Sequence, residues 1–211
     1  MNEDGPPYGF GVLELVQPHG GVFVVSGPSG VGKDAILDRL LGSDLRPPDL
    51  RRVVTWTTRA PRAGETDGID YRFVSPEAFQ QLEDTDGFLE SVTYKGQRYG
   101  TPARAVLERD RGADLILKID VRGGMAVKKL IPDAVLIFVA PPSPEELRRR
   151  LTERNTEDRD ALEERLAIAQ TEIRGASGYD YLIVNDDLNG AVELLRAIVL
   201  TCRARIRKAG S

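Results

Sequence analysis

One contiguous stretch of the chain carries chemistry in its spacing. Gly27-Pro28-Ser29-Gly30-Val31-Gly32-Lys33 matches the first seven positions of the phosphate-binding loop pattern. Glycines let successive backbone N–H groups turn inward around phosphate oxygens, and the lysine reaches the terminal phosphates. The eighth position departs from the pattern. The usual Ser or Thr, whose hydroxyl holds Mg2+, is replaced by Asp34, and Ala35 supplies no substitute. At about 4 Å and an effective dielectric near 20, a carboxylate and a phosphate repel by roughly 4 kcal/mol. Asp34 must therefore face Mg2+ or a water bound to it, or turn away to cap or salt-bridge at the helix start. Its place beside the β- and γ-phosphates favours the metal.

Arg59 and Arg62 stand three apart with a proline between, and Tyr71 follows in the same glycine-rich segment. They form a compact anion clamp, or else two solvated surface arginines. Glu90 follows Phe88 and Leu89, at the edge of an apolar floor or on the surface. A carboxylate there can accept from two N–H donors on one ligand edge. Of the 29 basic residues, 23 are arginine, which is compositional bias or a supply of planar phosphate-gripping forks. Arg148, Arg149 and Arg150 share a helix, so at most two face a ligand. His19 is the one histidine, which excludes a histidine base in the body of the fold.

The loop needs a strand before it and a helix after it. Gly21–Ser26 is a short β-branched run, and Lys33–Leu41 has helical spacing with Gly42 placed to stop it. Further strands are expected at Val53–Thr57, Asp114–Ile119, Ala134–Val139 and Tyr181–Val184. The last three are continuous apolar runs, as in a parallel sheet covered on both faces. Ser143-Pro144-Glu145-Glu146 opens a helix with a capping box, and Asp160–Arg174 and Gly190–Arg207 are also helically periodic. Strands alternating with helices imply an α/β fold. Thr57–Thr101, with its glycines and short runs, breaks the rhythm as a small inserted lobe, and residues 1–20 have no clear period and are expected to form a loosely ordered tail.

Composition bounds the rest. The chain has 211 residues, 41% apolar and 29% charged, near globular averages and against disordered or fibrous classes. No apolar run approaches the roughly 20 residues of a membrane span, and the acidic start argues against a secretory signal. A net charge of −4 disfavours non-specific nucleic-acid binding. The single cysteine, Cys202, fits a reducing, cytoplasmic location.

Several motifs in order give the chain a family resemblance. After the phosphate loop come Thr57-Thr58-Arg59-Ala60-Pro61-Arg62-Ala63-Gly64-Glu65 and Gly68-Ile69-Asp70-Tyr71-Arg72-Phe73. Gly87-Phe88-Leu89-Glu90, Tyr99-Gly100-Thr101 and Ile119-Asp120-Val121-Arg122-Gly123 follow, then Pro141-Pro142-Ser143, Arg150-Leu151 with Arg154, Arg165, and Ile183-Val184-Asn185-Asp186-Asp187-Leu188. Over about residues 20–200 the chain resembles the guanylate kinases, the ATP:GMP phosphotransferases. The resemblance implies a P-loop kinase core with a parallel sheet flanked by helices (21–53, 102–143 and 166–207), a GMP-binding lobe (54–101) and a helical lid (144–165). It implies that Gly27 through Asp34 bind ATP with Mg2+, and that Asn185 lies near the ATP base. Arg59, Arg62, Tyr71 and Tyr99 are implied to hold the phosphate of GMP. Glu90 reads guanine, with Thr55 and Thr101 also on the base and Asp120 near the acceptor. Lys33, Arg59, Arg154 and Arg165 carry the transferring group, with the two lid arginines closing onto it. Besides Asp34, Lys118 departs from a frequent acidic residue and Ser91 from a frequent aromatic one, both expected near the guanine pocket.

The expected reaction, GMP + ATP to GDP + ADP, needs no base. A nucleoside monophosphate is largely dianionic at neutral pH, so the task is alignment, charge neutralisation and exclusion of water. Two alternatives stand beside it. One is a kinase for another phosphorylated acceptor, such as ribose 1,5-bisphosphate, whose loops share the Lys-Asp pair. The other is a non-catalytic guanylate-kinase-like module that binds protein partners.

Overall fold

A computed structural model describes residues 20–154 and 159–205. The expected tail therefore lies outside the described residues, apart from Gly20. Five parallel strands form the main sheet: β1 (Val22–Ser26), β2 (Leu50–Val53), β7 (Asp114–Lys118), β8 (Val135–Ala140) and β9 (Tyr181–Val184), in the order β2-β7-β1-β8-β9. The continuous apolar runs have a simple use in this sheet, because alternate residues serve opposite faces. Phe23 and Val25 point with Ile116, Ile137 and Val139 to α1 (Lys33–Leu41), α5 (Pro144–Arg154) and α7 (Leu188–Arg203). Val22 and Val24 point with Leu115, Leu117 and Leu136 to α3 (Ala105–Asp110) and α4 (Val121–Leu130). The fold is thus α/β, with a parallel sheet between two helical layers.

A second sheet joins β3 (Trp56–Thr57), β4 (Arg72–Phe73), β5 (Phe88–Tyr94) and β6 (Gln97–Pro102) in the order β4-β3-β6-β5. Its helix α2 (Pro76–Glu83) is capped by the Ser75 hydroxyl, which accepts from the Ala78 N–H. Helix α6 (Arg159–Arg174) precedes β9; Ser143 caps α5, and Asp187 caps α7 by accepting from Gly190 N–H.

Three expectations change. The run Val53–Thr57 is two strands, because the chain leaves the main sheet after Val53 and enters the small sheet at Trp56. Strand β9 is not covered on both faces. It is the edge strand, and Leu182 and Val184 stand 60% and 41% exposed. The last helix begins at Leu188, where Asp187 supplies the cap, and ends at Arg203; its expected end, residues 206–207, lies outside the described residues.

Candidate active site

The phosphate loop leaves the C-terminal end of β1, the central strand, and runs into α1. That end of a parallel sheet, where connections diverge to either side, is where open α/β folds bind ligands. The loop's backbone is bound to its glycines. Gly32, the residue before α1, has φ 96°, and a Cβ there would lie 2.4 Å from the Asn185 side-chain nitrogen. At Gly27, φ is 140° and a Cβ would lie 2.1 Å from the Val139 carbonyl oxygen. The Lys33 ammonium curls into the loop and donates to the carbonyls of Gly27 (2.5 Å) and Pro28 (2.9 Å). Desolvation there lowers it to about 8, against the opposing charges of Glu172 and Asp34.

A cavity of about 170 Å³ runs from this loop to the small sheet. Gly27, Ser29, Gly30, Gly32, Lys33 and Asp34 line its loop side, and Thr55, Arg59, Arg62, Tyr71, Glu90 and Tyr99 line its lobe side. Asp120, Lys118 and Ile119, at the end of β7, form the floor between them. Asp120 also caps α4, its carboxylate accepting from the Gly123 N–H at 2.7 Å.

On the lobe side Arg59 is fixed by its neighbours. Arg59 donates to both Glu65 oxygens, at 2.9 and 2.8 Å, and its guanidinium lies 5.3 Å from the Tyr71 ring and 5.6 Å from Phe73. Burial opposes its charge, but Glu65 and Tyr99 more than offset this and hold Arg59 further protonated. The Tyr71 and Tyr99 rings meet edge-on at 6.0 Å. Glu90 is 7% exposed, on β5 opposite Thr101 on β6. Its Oε1 accepts from the Thr101 hydroxyl at 2.6 Å, and its Oε2 is buried without a partner among the described residues. Burial pushes its carboxyl up, helped by the charge of Asp120.

Several expected residues stand behind the cavity. Val31 is fully buried. Asn185 braces the loop from behind, donating to the Val31 carbonyl at 2.7 Å, while Arg150 donates to the Asn185 carbonyl at 2.9 Å. Thr101 is buried beneath Glu90. Arg165, on α6, acts on the Tyr94 hydroxyl, which burial pushes up to about 12. The side chain of Arg154 lies outside the described residues. Ser91 is not near this cavity. It points to the opposite face of β5 from Glu90 and donates to Glu83 at 2.6 Å.

Three lining residues escaped sequence reasoning. Val92 and Tyr94 follow Glu90 at the two-residue period of one strand face, a signal present in the sequence. Glu172 stands seven residues after Arg165, two turns along one helix face. It lines the cavity, its Oε2 is buried without a partner among the described residues, and burial raises its carboxyl to about 7 against the pull of Lys33.

Comparison with known proteins agrees with this geometry. The guanylate kinase family profile matches residues 20–201. The chain belongs to the guanylate kinase family. It is 46% identical over 193 residues to the guanylate kinase of Syntrophotalea carbinolica, covering 90% of each chain. It is 41% identical over 195 residues to that of Desulfitobacterium hafniense, covering 92% of this chain and 96% of the relative. Among solved structures, guanylate kinase from Anaplasma phagocytophilum superimposes with a TM-score of 0.71 at 32% identity, covering 90% of this chain and 92% of that one. Neither alternative function gains support from these guanylate kinase matches.

Proposed function

We propose that the chain transfers the γ-phosphoryl group of ATP to GMP, giving GDP and ADP. The observation that carries this reading is the facing of two sites across one cavity: a phosphate loop on one side, and a buried carboxylate with an unpaired oxygen on the other. In this reading Glu90 Oε2 and Thr55 recognise guanine, and Thr101 fixes the Glu90 carboxylate from behind. Arg59, Arg62, Tyr71 and Tyr99 hold the GMP phosphate. The GMP phosphate displaces Glu65 from Arg59, a charge exchange that leaves the guanidinium paired throughout. Asp120 supports the acceptor side. The backbone of residues 27–34 and the Lys33 ammonium hold the ATP phosphates.

No proton needs to be abstracted, because the acceptor phosphate oxygen is already anionic. The residues align donor and acceptor, spread the equatorial charge and exclude water. Lys33 and Arg59 supply charge from the two sides, and Arg154 and Arg165 from the helices that flank the cavity. Asn185 lies near the ATP base in the family reading; its bond to Val31 supports a loop-bracing share of that role.

ATP-dependent kinases of this family work with a divalent cation, and Mg2+ is the ion we propose. Among the described residues no group of three or more His, Cys, Asp or Glu could hold a metal. That fits an ion carried in on phosphate oxygens and water with at most one protein carboxylate. Asp34 suits that place: both cations that pair with it sit on Oδ1, which leaves Oδ2 without a partner among the described residues. The ion supplies charge neutralisation between the transferring phosphates. The partners are ATP and GMP, with neither nucleic acid nor membrane. Among the described residues no helix is long and apolar enough to cross a membrane. A cytoplasmic, reducing location belongs to this reading and is supported by the free Cys202.

The test is ADP release, coupled to a spectrophotometric readout, with GMP, AMP, UMP and CMP as acceptors. Turnover with GMP at least a hundredfold above the other three is the expected result. Equal rates with AMP and GMP, or no turnover with GMP, would overturn the reading.

A further inference from the structure

Two of the departures noted in the sequence touch each other. Lys118, at the end of β7, forms an ion pair with Oδ1 of Asp34, in the first turn of α1. Arg52 reaches the same oxygen at 3.3 Å and Asp38 at 2.9 Å. The Lys118 side chain is 6% exposed and that of Asp34 49%. The same ammonium lies 4.4 Å from the Tyr71 ring centroid.

Asp34 directly follows Lys33, so its carboxylate borders the space the ATP phosphates occupy. Standing alone there it repels them. Lys118 is nearly excluded from water, so its attraction for Asp34 is screened far less than that of a surface pair. A buried ammonium without its carboxylate is equally unfavourable. Each change by itself leaves a charge beside the phosphates without its buried partner, Arg52 being the longer of the two contacts to Asp34; together they cancel.

We propose that Lys118 is a positioning residue for the ATP site: it neutralises Asp34 and holds one carboxylate oxygen off the phosphate path, so that the two residues act as one unit. This rests on the reading that ATP occupies the glycine-rich loop. Lys118 acts through Asp34 and does not itself grip the nucleotide. The Asp34 carboxylate, drawn to Lys118 and Arg52, still offers its second oxygen to the cavity.

The experiment is calorimetric titration with ATP in EDTA, so that no metal contributes, with GMP titrated separately. Lys118→Met keeps the length and apolar stem and removes the charge. It is expected to raise the Kd for metal-free ATP about tenfold, or about 1.4 kcal/mol, and to change GMP binding less. Asp34→Ser/Lys118→Met is expected to return the ATP Kd to within about threefold of wild type, a rescue that a merely structural lysine does not give. Asp34→Ser alone alters a half-exposed side chain and is expected to bind metal-free ATP more tightly than wild type. The inference is overturned by an unchanged ATP Kd in Lys118→Met, by a double variant as weak as the single, by a loss that falls on GMP instead, or by weaker ATP binding in Asp34→Ser. Wild-type protein that takes up no ATP even with Mg2+ present overturns the guanylate kinase reading, and this inference with it; wild type that binds ATP only with Mg2+ overturns this inference alone.

Discussion

Glu90→Gln separates base recognition from everything else the cavity does. Glu90 Oε1 is committed to Thr101 at 2.6 Å, and Oε2 is buried with no partner among the described residues. Glutamine fits the same space and has two orientations. In one, its carbonyl keeps the Thr101 bond and its amide nitrogen faces the guanine N1–H and 2-amino donors. In the other, its nitrogen turns to Thr101 and its carbonyl accepts one guanine donor without charge. Either way a charge-assisted hydrogen bond, worth about 1.5–3 kcal/mol, is lost, and the first orientation adds an unpaired donor at about 1–3 kcal/mol. A loss of about 3 kcal/mol corresponds to roughly a hundredfold in kcat/KM for GMP. Stability moves the other way. Burial and the charge of Asp120 push the Glu90 carboxyl up, so ionising it costs the folded protein stability as pH rises. The neutral amide removes that cost, and the melting temperature at pH 7 is expected to hold or rise. Steady-state kinetics with GMP, ATP affinity and thermal melts on one preparation check all three. Wild-type GMP kinetics in Glu90→Gln would refute the base-reading assignment, and equal losses for GMP and ATP would refute the division of the cavity into two sites.

Gly32→Ala forces a left-handed φ on a residue with a Cβ and drives that atom to 2.4 Å from Asn185. Backbone strain of about 1–2 kcal/mol and the loss of the Asn185–Val31 bond, about 1 kcal/mol, predict a chemical-denaturation stability lower by about 2–3 kcal/mol, with ATP affinity reduced more than tenfold. Glu172 tests the buried charge beside Lys33. Its folded carboxyl titrates near 7 rather than 4.5, so between those values the folded chain binds more protons than the unfolded one. Wild type therefore loses stability as pH rises through that window. Glu172→Gln does not titrate, so its advantage in melting temperature is expected to grow from pH 4.5 to 7 and then level off; a difference independent of pH contradicts the assignment.

The phosphate loop was legible because its parts are neighbours. Strand, glycine turn, lysine and helix lie within Val22–Leu41, and the chemistry follows from residues that touch along the chain. The Arg59–Arg62 pair was legible for the same reason, and the apolar runs of β1, β7 and β8 announced a sheet covered on both faces. Strand β9 reads like them in sequence yet lies at the edge, since order within a sheet is set by which helices pack where. The run Val53–Thr57 looks like one strand because its local propensity is continuous, and only the existence of two separate sheets divides it. Glu90 announced its residue type, but its contact with Thr101 depends on the register of β5 on β6, and the outward turn of Ser91 follows from the same pleat. Asp34 and Lys118 are 84 positions apart and appeared as two separate anomalies. They meet because β7 lies directly beside β1, which brings the C-terminal end of one strand against the helix that follows the other. Glu172, on α6, acts on the charge of Lys33 from still farther along the chain. Composition and spacing thus determined which groups the chain has and which local turns they make. Which charges face each other was decided by the packing of strands and helices, because electrostatic partners are chosen by distance in space, and no pattern of nearby residues encodes that distance.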